Sequence, residues 1–111
     1  MQKFIVMFLA PSATIAEWMK KPEAERKDAD QQMRKEWGEW MAAHASMIKE
    51  TQAAGKTKRV TKGSVADVAN DLMLYSIIEA ESPEAAAEVY KDHPHFGIPG
   101  ATIEVLPIRP M

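Results

Sequence analysis

The sequence predicts an α+β domain of the ferredoxin-like type, a βαββαβ unit whose four strands form one antiparallel sheet. Three observations predict it. The large apolar residues crowd into three short runs, residues 4–9, 72–78 and 103–108, each of strand length. Helix-start signals fall between them, at Pro22 and at Ser82-Pro83-Glu84. The length, 111 residues, suits one domain spanning 1–111.

Residues 3–10 form a first strand, apolar on both alternating faces and bounded by Pro11. With Met-Gln-Lys ahead of it, this segment resembles the start of a signal peptide. The apolar run is only seven residues long, however, and no small-x-small cleavage site follows Pro11. A buried strand in a cytoplasmic protein is therefore expected. Thr14 with Glu17 fits the capping box of a short helix that Pro22 terminates.

Pro22 suits the first position of a longer helix expected to reach Gly55. Its first half carries mixed charge, the mark of a solvated face. Its second half carries an apolar stripe of Met33, Trp37, Trp40, Met41, His44, Met47 and Ile48, as in a helix packed on one side. Residues 57–65 alternate Thr and Val with Lys and Arg, which predicts a polar edge strand.

Residues 72–80 form the strongest strand, with Leu72, Leu74 and Ile78 on one face and Met73, Tyr75 and Ile77 on the other. Ser82, Pro83 and Glu84 supply an N-cap, an N1 proline and an acidic first turn for a helix expected to end near Asp92. Ala86, Val89 and Tyr90 give it an apolar face. A loop with Pro94, Gly97, Pro99 and Gly100 leads to a last strand, 102–108, whose Pro107 requires an edge. In this topology the first and third strands are central. Those are the two that are apolar on both faces.

Composition excludes several classes. A net charge of −2 with no single-sign block argues against nucleic-acid binding. The absence of cysteine excludes disulfides, thiolate nucleophiles and Cys-ligated metals. No apolar run approaches the roughly 18–20 residues that span a bilayer.

Both helices of such a domain cover one face of the sheet. Leaving large apolar side chains wet on the other face costs about 1.5–3 kcal/mol each. The expected remedy is a homodimer through the open sheet face, closing a dimeric α/β barrel.

Chemistry centres on His44, inside the apolar stripe. A buried imidazole there is either a core histidine bonded to a carbonyl or a general acid–base group. Asp92, in Asp92-His93-Pro94-His95-Phe96, is a carboxylate that either orients His44 or is solvated at a helix end. The spacing of Asp92, His93 and His95 is weak evidence for a metal, and neither metal nor cofactor is expected. Trp37, Trp40 and Tyr75, with His93 and His95, are candidate substrate-binding residues in an apolar pocket. Core packing is the bland alternative for the tryptophans.

Several segments resemble the YCII-related proteins of the dimeric α/β-barrel group, over nearly the whole chain. They are Lys3-Phe4-Ile5-Val6, His44-Ala45-Ser46-Met47-Ile48-Lys49 running to Ala53-Ala54-Gly55, and Glu79 to Ala86. Asp92-His93-Pro94 and Ile103 to Ile108 complete them. The resemblance implies a His44–Asp92 active pair and a small cofactor-independent enzyme acting on hydroxylated aromatic or similar small molecules. The Asp-Gly-Pro-Phe motif of a large subgroup is absent, with Ser64-Val65-Ala66-Asp67 in its place. Two other readings share the barrel: a non-catalytic ligand-binding or interaction module, and an antibiotic-monooxygenase-like oxygenase.

Overall fold

The central strand of the sheet is the first one in the chain. A computed structural model describes all residues, 1–111. In it β1 (Gln2–Leu9) pairs on one side with β5 (Leu72–Ala80) and on the other with β6 (Thr102–Pro107), both antiparallel. The second edge is β2 (Ile48–Ala53), giving the order β2-β5-β1-β6 of a split βαββαβ unit. The apolar runs at both ends of the chain thus meet in one sheet.

Alternation sorts the strand residues into two layers. Phe4, Val6 and Phe8 of β1 and Ile78 and Ala80 of β5 are buried beneath the helices, with Ala86 and Tyr90. Ile5 opposes Ile77 and Leu106, and Met7 opposes Tyr75, on the uncovered face, where they stay half-buried or exposed. The registers shift between Phe8 and Leu9, so Phe8 pairs Leu74 and Leu9 pairs Leu72. Met73, expected on the uncovered face, is left over by this bulge.

Three helices follow the expected places with altered ends. The first, α1 (Ser12–Met19), starts two residues before Thr14, so the Thr14–Glu17 capping box does not form. Asp71 caps it instead: its carboxylate accepts the Ser12 N–H at 3.1 Å while its carbonyl accepts the Ala10 N–H at 2.9 Å. Pro22 is the N-cap of α2 (Glu23–Ala43) rather than its first residue. Ser82 caps α3 (Pro83–Val89) as expected, accepting the Ala85 N–H at 3.0 Å. That helix ends before Asp92, and a 3-10 turn, Pro94–Gly97, follows.

The largest correction concerns the end of α2. The helix stops at Ala43, and His44 leaves helical geometry with φ −118° and ψ 18°. Its backbone and its ring both bond the Trp40 carbonyl, at 3.2 and 2.8 Å, which closes the last turn. Met47 and Ile48 keep their apolar contact with the core from a turn and a strand. Residues 48–53 then pair with β5 and become the sheet edge assigned above to 57–65.

Residues 57–65 enter a separate ribbon. β3 (Thr57–Thr61) pairs with β4 (Ser64–Val68) through the two-residue turn Lys62-Gly63, where Gly63 takes φ +78°. The whole molecule is a slab 44 × 44 × 20 Å, the thickness of one sheet and one helix layer. Its radius of gyration is 15.7 Å, against about 13 Å for a compact chain of this length. The excess reflects the uncovered sheet and the projecting ribbon.

Candidate functional site

Three features of the helix-covered side bear on chemistry: an aromatic cluster, a histidine at the end of α2, and a cleft. The cluster grows from the inward residues of β1 and the stripe of α2. Phe8 lies 5.1 Å from Trp37, 5.9 Å from Tyr90, 5.1 Å from His93 and 5.5 Å from His95, centroid to centroid. Trp37 and Trp40 meet the His93 ring at 4.3 and 4.4 Å. The turn after α3 therefore folds inward beneath α2, because His93 caps the 3-10 turn.

That cap fixes the state of His93. Its Nδ1 accepts the backbone N–H of His95 at 2.9 Å, so in the neutral ring Nε2 carries the proton. Nε2 is buried with no hydrogen-bond partner, in a ring packed against Trp37 and Trp40. Burial lowers the His93 pKa to about 4, with His95 and His44 adding repulsion. His95 is equally buried and is also shifted down by burial. Its Nε2 lies 2.8 Å from the Leu9 carbonyl, to which it donates.

The Tyr90 hydroxyl is the cluster's other orphan. Burial pushes its pKa up to about 12. An unpaired buried hydroxyl costs about 1–3 kcal/mol. Tyr90→Phe is therefore expected to raise the thermal midpoint, with stability rising by about 1 kcal/mol. A lower midpoint in a calorimetric scan would show that the hydroxyl has a partner.

His44 is half-buried and stacks on Trp40 at 4.1 Å and 23°. A carbonyl only accepts, so Nδ1 donates to Trp40, and in the neutral tautomer this selects, the lone pair is on Nε2. The geometry is that of an oriented base whose orienting group is main chain. Asp92 is exposed and makes neither an ion pair nor a hydrogen bond to His44. The pair expected from sequence is not brought together. Tyr75 lies on the opposite, uncovered face, where its hydroxyl donates to Glu50 at 2.8 Å. That carboxylate raises the tyrosine pKa.

The cleft lies between α1, the first half of α2, the start of β5 and the 3-10 turn. It measures about 520 Å³ and its wall is mostly apolar. Trp18 and Ile15 of α1 line it together with Met33 and Trp37 of α2, His95 and the bulged Met73. Thr14 and Asp30 are polar groups of the same wall. Sequence reasoning identified Trp37 and His95 but missed Trp18. The i, i+3 spacing of Ile15 and Trp18 was the available signal. Trp40, His44, Tyr75, Asp92 and His93 do not line the cleft.

No group of three or more His, Asp or Glu side chains is arranged to hold a metal ion. No helix is long and apolar enough to cross a membrane. The chain matches no model of a known protein family, and no curated protein matches it.

Proposed function

We propose that the protein binds a small, flat, hydroxylated aromatic molecule in the cleft between α1 and α2. On this reading it acts without a cofactor in small-molecule metabolism, as a homodimer of the YCII-related, dimeric α/β-barrel kind. One observation carries the reading: a mostly apolar cleft of about 520 Å³ whose lining includes Trp18 and Trp37. Sites for small molecules have this size and this mixture of apolar walls with few polar groups. Indole faces favour a planar ligand. The Asp30 carboxylate accepts a phenolic hydrogen, and Thr14 can donate or accept.

A second reading, proton transfer at His44, is favoured by the 2.8 Å contact of Nδ1 with the Trp40 carbonyl. It leaves Nε2 as the base. In this reading the Trp40 carbonyl takes the orienting role that the family resemblance implies for Asp92.

Titration of tryptophan fluorescence with simple hydroxylated aromatics tests both. Saturable quenching is expected, and Trp18→Ala should weaken it by about tenfold, the loss of about 1.4 kcal/mol of contact. Absence of saturable quenching at millimolar ligand rejects the cleft. His44→Ala should bind the same ligand normally. His44 lies outside the cleft, so proton transfer there is a separate site: loss of turnover of any accepted hydroxyaromatic in that variant supports it, and equal turnover rejects it.

A further inference from the structure

The β3–β4 ribbon finds its extended packing only within itself. A lone two-stranded hairpin is marginally stable in water, so a ribbon of this length needs something to lie on. Its two valines are cross-strand partners, Val60 opposite Val65, and are 73% and 65% exposed. They share one face with the Lys58–Asp67 ion pair. An apolar pair at the tip of a projecting ribbon is poorly placed for its own chain and well placed for another.

Charge indicates what the other chain is. Lys56, Lys58, Arg59 and Lys62 against Asp67 give residues 56–68 a charge of +3. The whole chain carries −2, so the remainder carries −5. The uncovered sheet face presents Glu50, bonded to Tyr75, and Glu104, opposite Met7. A basic ribbon and an acidic body within one sequence are complementary between copies. Leu106, 39% exposed on the edge strand β6 and on the same face as Glu104, supplies apolar surface for the valines at the rim of the sheet.

We propose that the β3–β4 hairpin is an arm that clasps a second copy of the chain, laying its Val60/Val65 face on the partner beside the open sheet. The inference rests on the dimer reading given above and adds a second contact to it. The arm tethers the two copies outside the sheet-to-sheet contact and becomes ordered when it docks.

Sedimentation of the full chain tests this, with circular dichroism to establish that each variant is folded. Wild type is expected to be a dimer. The double variant Val60→Asp/Val65→Asp, far from the core, should weaken dimerisation by at least about tenfold while keeping its spectrum. Ile77→Glu, on the sheet face, should give monomers. A wild-type monomer overturns both the arm and the dimer. A double variant that dimerises like wild type, while Ile77→Glu does not, overturns the arm and leaves the dimer standing. Binding of a labelled oligonucleotide by a wild-type monomer, lost in the double variant, overturns the arm in favour of a polyanion site.

Discussion

Phe8→Ala is expected to remove a large share of the protein's stability. Phe8 is 1% exposed on the central strand, and Trp37, Tyr90, His93 and His95 all pack against its ring. Truncating a buried phenylalanine costs about 3–5 kcal/mol through lost transfer energy and the cavity left behind. Domains of this size hold only about 5–15 kcal/mol in total. The core is also thin, with 11 of 111 residues buried, so few neighbours can collapse into the gap. Urea unfolding followed by circular dichroism should show the midpoint shifted far to low denaturant. Phe96→Ala, at a ring 45% exposed, should change stability by less than about 0.5 kcal/mol. A small loss in Phe8→Ala would mean that the aromatic cluster contributes little to the fold.

Acid should destabilise the protein steeply, and His93 should account for much of the slope. An unfolded histidine binds its proton near pH 6.5, whereas burial lowers His93 to about 4 in the folded chain. Between those values the unfolded state holds the extra proton. The stability fully present above pH 6.5 therefore falls as the pH drops toward 4. The shift corresponds to about 3 kcal/mol at the acid end of the window. His95, lowered in the same direction, adds to the slope. His93→Phe keeps an aromatic ring among Trp37, Trp40 and Phe8 and removes the titrating group. Its unfolding free energy, measured from pH 7 to 4, should fall less steeply than that of wild type. Parallel curves would place the acid sensitivity elsewhere.

The parts of the fold legible in the sequence are those whose cause is local. β1 and β5 announce themselves as apolar runs of strand length, and Ser82-Pro83 marks the start of α3 within a single turn. The end of α2 has a different cause. Met47 and Ile48 continue the helical phase of Trp40 and His44, so periodicity extends the helix. What stops it is a side-chain bond from His44 to Trp40, combined with the open edge of β5, a strand some thirty residues further on. Lys62-Gly63, a two-residue turn between β-branched segments, is the local signal for the ribbon. In the site, the stripe of α2 gave Trp37 and Trp40 correctly as inward residues. The direction of Asp92 depends on where α3 unwinds. The helix ends at Val89, three residues short of Asp92, and in the turn that follows Asp92 is exposed while His93 is buried.

The place of β1 in the sheet has a consequence for biosynthesis. Phe4, Val6 and Phe8 leave the ribosome well before their neighbours in the sheet, residues 72–80 and 102–107. At about 5–20 residues per second, β1 waits a few seconds or more for β5, and longer for β6. During that interval the most apolar strand of the chain has no partner on either edge. The nascent domain therefore carries an unpaired apolar strand, an aggregation hazard, until β5 and β6 have been made. Folding can close only when the last strand has been made.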